Sequence, residues 1–422
     1  MHSRRNNMKS KESFYGWRIV IGAVLVLAVT GPAGVSIANI YQGSVTEALG
    51  ISNAQFSISN TLILSVSVLF GSWISGLLAK NFTKVFMIAS LVYGLAYMAF
   101  GLVNNTFLFY LLSILVGFGF LSTSAMAMSI LISNWFVEKR GLALSIALSG
   151  IGIGGIIWSP IVTNLINSIG WRASYMTYGA IMIAVTLLVG KFIFVAKPED
   201  MGLEALGANT ANQTSATSQK ENLRVPFNLK ESVRKPFFIL LLLGAVFVGL
   251  SNNGGLGQFP PYMQSIHGAQ LGALIISVYS AVGILGKLLL GSIADKFGVV
   301  VATIWTSVAL ALTYFLAATT TSYGFAILLA VLFGLGNANG TVLAPLVVSA
   351  IYPTKSYAQV YGLVNQFLFL GMMFGSLIAA SIADAASYTT AWYVFAVISL
   401  LIIVFWAGSY FLAKKDFKPV EK

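Results

Sequence analysis

Lys287 stands in "GILGKLLLGSIADKFG", from Gly283 to Gly298, as one ammonium group inside an apolar run. A cation there can do three things. It can reach to the membrane surface on its flexible stem, pair with a buried acid, or wait for an anion. Few other residues offer chemistry. The chain has no Cys and two His, His2 and His267. A thiolate zinc site, an iron–sulfur cluster, a disulfide and a cysteine nucleophile are therefore excluded. A Ser-His-Asp arrangement would have to use His267, which falls in a short loop without obvious partners. The sequence points away from an enzyme, and no metal or cofactor is expected.

The elements that must position Lys287 are apolar and long. Of 422 residues, 57% are hydrophobic and 9% charged, against about 25% charged in soluble chains. Mean hydropathy is +0.86. Runs above about 18 apolar residues read as membrane spans, and 41 Gly suit closely packed membrane helices. Twelve spans are expected, at 17–42, 54–79, 84–103, 107–134, 141–168, 173–196, 236–264, 270–294, 298–318, 322–350, 357–385 and 389–412. The fold class is an all-α membrane protein, with twelve transmembrane helices in two six-helix bundles and the lipid bilayer as its surroundings.

The charges follow this topology. Arg4, Arg5, Lys9 and Lys11 precede span 1, which is too long for a signal-peptide core and reads as a retained anchor. Lys80, Lys84, Lys139, Arg140, Lys296, Lys355, Lys414 and Lys415 fall on the side of the N-terminus, as do Lys197, Lys220, Arg224, Lys230, Arg234 and Lys235 of the central loop. Arg172 is the basic residue of the other side, with Glu47, His267 and Asp384. The positive-inside rule places both termini in the cytoplasm of a multi-pass cell-membrane protein. The net charge of +12 is thereby explained by topology rather than by nucleic acid.

The chain divides into a tail (1–16), a first half (17–196), a central loop (197–235), a second half (236–412) and a second tail (413–422). Within the loop, "GANTANQTSATSQK" reads as a linker and "FNLKESVRKPFF" as an interfacial helix. The halves repeat: "GSWISGLLAKNFTKV" corresponds to "GKLLLGSIADKFGVV", "GFGFLS" to "GLGNANG", and "GWRASYMTYG" to "AWYVFAV". Spans 1 and 7 carry small-residue and proline interruptions at "TGPAG" (Thr30 to Gly34) and "NNGGLGQFPP" (Asn252 to Pro261). Matching interruptions in two halves point to a transport site near the midplane.

Eight residues separate Lys287 from Asp295, about 12 Å along a helix, which sets the ammonium near mid-membrane. Ser280, Gly283, Gly291 and Ala294 share its face, while Val278, Val282, Leu285, Leu289 and Ile293 are expected to face lipid. No Asp or Glu lies in the interior of any expected span; Glu47 and Asp384 sit at the opposite edge. Lys287 thus reads as a cation for an anionic ligand. Tyr279 and Asn337, then Asn39, Ser124, Asn252, Gln258, Asn365 and Gln366, are the polar residues able to line the same cavity.

"GSIADKFG" (Gly291 to Gly298) resembles the cytoplasmic loop signature of the major facilitator superfamily; the first-half copy, "GLLAKNFTK", has Lys80 in place of the acid. "NWFVEKRGLALSIALSGIGIG" (Asn134 to Gly154), "FYGWRIV" and "PEDMGL" are similar to motifs of bacterial monocarboxylate transporters and oxalate/formate antiporters. The resemblance implies gating by Asp295 and Lys296, with Arg140, and a carboxylate-binding arginine at the position of Lys287. It also places Leu368 where the oxalate antiporter has a second cation, and Gly283 where animal monocarboxylate transporters have an acid. One cation favours a monocarboxylate.

The expected function is transport of a small organic monocarboxylate anion (lactate, pyruvate or formate type) by alternating access, through proton symport or anion exchange, in a protein working as a monomer. Export of drugs or hydrophobic compounds shares the fold, but cationic-drug exporters are expected to carry embedded acids. A non-transporting sensor would need longer tails than these.

Overall fold

The computed structural model describes residues 14–34, 36–136, 138–207, 229–319, 322–352 and 354–416. Among them are the twelve spans. Span 1 is built from Gly16–Thr30, short 3-10 turns at Pro32–Gly34 and Ala38–Tyr41, and Gln42–Leu49. Spans 2 and 3 are Asn53–Lys80 and Phe82–Ala99. Span 4 is Thr106–Thr123 and Ala125–Trp135, parted at Ser124, whose backbone is extended. Spans 5 and 6 run together as Arg140–Phe192, broken at Gly170, where φ of 81° suits a residue without Cβ. In the second half, spans 7, 8 and 9 are Pro236–His267, Ala269–Phe297 and Val299–Thr319. Span 10 comprises Tyr323–Gly336, a 3-10 turn Asn337–Asn339, and Leu343–Ile351; spans 11 and 12 are Thr354–Ala385 and Tyr388–Asp416.

The interruption expected in span 1 is present, and tyrosines complete its hydrogen bonding. Tyr178, Tyr93 and Tyr97 donate to the carbonyls of Val29 (2.9 Å), Thr30 (3.0 Å) and Ala33 (3.5 Å). Freed carbonyls at membrane depth need such partners. The interruption expected in span 7 is corrected: Asn252 to Pro261 stays helical. Pro260 has no N–H for the Leu256 carbonyl four residues back. Asn39 Nδ2, from the other half, donates to that carbonyl at 3.4 Å. Span 5 has the same arrangement. Pro160 frees the Ile156 carbonyl, and Ser277 Oγ of span 8 donates to it at 3.3 Å.

Close approach of helices is likewise repeated. A Cβ on Gly154 would lie 2.0 Å from the Ala28 carbonyl, fixing span 5 on span 1; one on Gly371 would lie 2.0 Å from the Val246 carbonyl, fixing span 11 on span 7. On the side of the termini (the basic side), "FYGW", "NWF" and "PEDMGL" converge. Phe14 and Trp17 pack edge-on against Phe136, and Tyr15 donates to the Ile193 carbonyl. The first residues of the central loop form a strap: Leu206 N–H donates to the Trp135 carbonyl (2.9 Å), and Glu138 N–H to that of Leu206 (2.8 Å). Of the expected interfacial helix, one turn, Leu229–Ser232, is described; most of the linker stretch lies outside the described residues.

The apolar cores show how the halves meet. On the side away from the termini (the far side), one core joins both halves, from Val29, Tyr41 and Tyr97 to Phe259, Tyr279 and Trp392. On the basic side there are two separate cores, one around Val20, Phe86 and Trp135, the other around Phe238, Val348 and Val360. The halves therefore close on the far side and part toward the basic side.

Candidate anion site between the halves

The far-side closure is polar as well as apolar. Gln258 is fully buried; its Nε2 donates to Ser57 Oγ and Ser376 Oγ (both 3.0 Å) and approaches Gln42 Oε1 at 3.5 Å. Tyr388 donates to Gln258 Oε1 at 2.9 Å. Thr61 donates to the Met373 carbonyl (2.8 Å) and Ser159 to that of Ala273 (3.1 Å). Outside this seal lies a vestibule of about 300 Å³ lined by Gln42, Glu47, Asn53, Gln264, Ser265 and Tyr388.

Lys287 lies on span 8, two turns beyond Ser280 toward the basic side. Along span 8, Ile276 and Ser280 touch Gly155 of span 5, and Ile284 lies against Gly152. Lys287 continues that face by one turn. Lys287 itself is exposed. Its place on the face that meets span 5 sets it at the edge of the parting between the halves. No carboxylate among the described residues pairs with it.

Span 11 repeats this geometry opposite span 2. The face carrying Met373 and Ser376, which meets Thr61 and Ser57, continues to Gln366 and Asn365, exposed and half-buried respectively. Glycine contacts set the depth of span 10. Gly283 and Gly286 of span 8 pack on the Gly334 backbone, so Lys287 is level with the turn Asn337–Asn339. Asn337 is half-buried. Asn252 is buried with its Oδ1 unpaired, and its Nδ2 would lie 2.7 Å from a Cβ on Gly340. These residues form one layer with Lys287, walled by Leu368, which lies beside Gly340.

The remaining expected residues lie elsewhere. Gln258 and Asn39 are in the seal; Asn39 Oδ1 accepts from Asn60 Nδ2 at 2.8 Å. Tyr279 is buried edge-on to Phe333, its hydroxyl beside Ser36 of the first half. Ser124 is buried at the break in span 4. Lys296 is exposed over the Phe297 ring, before Gly298, whose φ of 86° ends span 8. The side chains of Arg140 and Asp295 lie outside the described residues. The expected small-residue groove is also corrected. Gly283 is taken up in packing on span 10, while Gly291 remains open. Of the residues expected to face lipid, Leu285 and Leu289 are exposed, whereas Val282 packs on Gly334 and Ile293 joins a core.

Sequence reasoning missed the partners of the seal (Gln42, Asn53, Ser57, Ser376, Tyr388) and Asn339, which is fully buried with both amide atoms unpaired. Asn339 could have been singled out within "GLGNANG", where it lies two residues after Asn337.

Comparison with known proteins agrees with this architecture. The chain is 26% identical to the oxalate:formate antiporter of Oxalobacter formigenes over 419 residues, 96% of this chain and 93% of that one. It is 25% identical to monocarboxylate transporter 12 of Xenopus laevis over 201 residues, 45% and 43% of the two chains. Among solved structures, a bacterial homologue of the human lysosomal transporter Spinster, in an inward-facing and unoccupied conformation, superposes with a TM-score of 0.74 at 16% identity, covering 97% of this chain and 100% of that one. The sequence profile of the Major Facilitator Superfamily matches residues 20–299 and 241–421, nearly the whole length. With twelve spans in two repeated halves around a cleft, this chain belongs to the Major Facilitator Superfamily.

Proposed function

We propose that this membrane transporter carries small organic monocarboxylate anions of the lactate, pyruvate or formate type. The observation that carries the reading is Lys287: an exposed cation within span 8, on the face that meets the other half, with no carboxylate partner among the described residues. An unpaired charge in that setting is costly, and a bound carboxylate relieves the cost. A lysine offers one point charge rather than a fork, which suits one carboxylate group. Asn337, Asn252, Asn365 and Gln366 supply uncharged hydrogen-bonding capacity around it. Tyr279 and Ser124 are buried away from this layer, and Asn39 and Gln258 form the seal that must part when the site faces outward. Similarity to an oxalate:formate antiporter supports the reading.

The first half (17–196) rocks against the second (236–412), exposing the site alternately. The basic side is cytoplasmic, with both termini in the cytoplasm of a cell-membrane protein working as a monomer. Asp295, Lys296 and Arg140 govern the cytoplasmic closure. With no acid beside Lys287 among the described residues, the anion exchanges for another anion or enters with a proton carried at Lys287.

Uptake into proteoliposomes of a panel of radiolabelled carboxylates, with and without a pH gradient, tests this. Transport of monocarboxylates that disappears in Lys287→Ala and returns in Lys287→Arg is expected. Normal transport by Lys287→Ala would end the reading. Acceleration by a trans anion, insensitive to pH, selects exchange over symport.

A further inference from the structure

We propose that Asp384 is a charged latch that holds the far side shut by capping span 2 of the opposite half. Asp384 is the penultimate residue of span 11. Its Oδ2 accepts the Ala54 N–H at 2.7 Å, and its Oδ1 accepts from Asn53 Nδ2 at 3.1 Å.

Both ends of this contact need the other. The first N–H groups of a helix have no acceptor within it. Span 2 satisfies part of this with a capping box, in which Ser52 Oγ accepts the Gln55 N–H and Gln55 Oε1 accepts the Ser52 N–H. The Ala54 N–H is left for an outside acceptor, and Asp384 supplies it. Asp384 in turn stands at the C-terminal end of its own helix, where the helix dipole disfavours an anion. Closure moves the carboxylate to the favourable, N-terminal end of a 28-residue helix. Opening would return Asp384 to its own helix end and leave Ala54 to water. The contact therefore favours one state of the transporter over the other.

The latch is wired to the seal. Asn53 Oδ1 accepts from Gln42 Nε2 at 2.8 Å, and Gln42 Oε1 meets Gln258. The carboxylate thus holds Asn53 with its amide oxygen presented to Gln42. The inference goes beyond the substrate reading; it requires alternating access but no particular cargo.

Electron–electron distance measurements on the full chain in lipid test it. The sequence has no cysteine, so spin labels at Ala48→Cys and Gln270→Cys report the far side, and at Lys84→Cys and Lys414→Cys the basic side. At neutral pH, Asp384→Asn should raise the far-side-open population roughly five-fold, with the basic-side pair moving closer. Asn53→Ala should act in the same sense and less strongly, and Asp384→Glu should stay near wild type. A general loss of packing would not move the two pairs in opposite directions. Unchanged distributions in Asp384→Asn, or an equal shift in Asp384→Glu, would overturn the proposal. Because the readout is conformational, it stands or falls apart from the carboxylate reading.

Discussion

The two halves share a plan and spend their polar groups differently. In both, a tyrosine of the third helix reaches a carbonyl of the first: Tyr93 donates to Thr30, and Tyr314 to Ser251, each pair 63 residues apart in sequence. In both, a glycine of the fifth helix lets its backbone meet the first, at Gly154 and at Gly371. The first half then closes its broken helix with two more tyrosines. Among the described residues, the second half leaves Lys287 without a carboxylate, Asn252 Oδ1 unpaired, and both amide atoms of Asn339 unpaired. The first half has its own unpaired groups, at Asn60 Oδ1, Ser90 and Thr163, but none there is a charge. Unmet hydrogen-bonding capacity is destabilising and persists where something else meets it. On the proposed function, the difference teaches that one half is finished as a platform and the other is held ready for a ligand.

The sharpest way to break that contrast is to remove the charge. Lys287→Gln should reduce monocarboxylate transport about 50-fold while leaving the fold intact, a size set by loss of a charge-assisted hydrogen bond; initial rates in proteoliposomes measure it. Equal loss from a polar change in the first half, such as Ser124→Ala, would erase the asymmetry. Next come the two glycines. Gly154→Leu and Gly371→Leu should each destabilise by about 3 kcal/mol or more, since backbone must move, and both should lower the thermal transition in detergent. The tyrosines are predicted to matter less: Tyr93→Phe costs about 1–2 kcal/mol by stranding the Thr30 carbonyl at the helix break, and Tyr314→Phe about 1 kcal/mol, since the Ser251 carbonyl stays within a continuous helix. Thermal shift should move for both, with substrate affinity unchanged in Tyr93→Phe. The smallest effect belongs to the proline seam. Pro260→Ala restores an N–H to the Leu256 carbonyl and competes with Asn39, weakening far-side closure by about 1 kcal/mol, which far-side distance measurements would register as a wider distribution.

Much of this molecule was legible in its sequence, and the reasons differ by feature. The spans were readable because hydropathy and basic loops are local properties. Lys287 was readable because a charge in an apolar run stands out, and its distance from Asp295 set its depth. The seal was not. Gln42 and Gln258 lie 216 residues apart, and nothing near either announces the other. Prolines misled for a related reason. "FPP" reads as a break, yet Asn39 takes the freed carbonyl and the helix runs on. Gly283 looked like a cavity wall, but its neighbour, the Gly334 backbone, belongs to another helix. In each case the sequence names the group with a need, and only tertiary register names its partner.

The strap at Leu206 bears on how the chain could be divided. By pairing with Trp135 and Glu138, it fastens the start of the inter-half connection to the first half. A cut after Phe192 would therefore separate the first half from its own strap, whereas a cut after Gly207 would keep the strap with the half that it fastens.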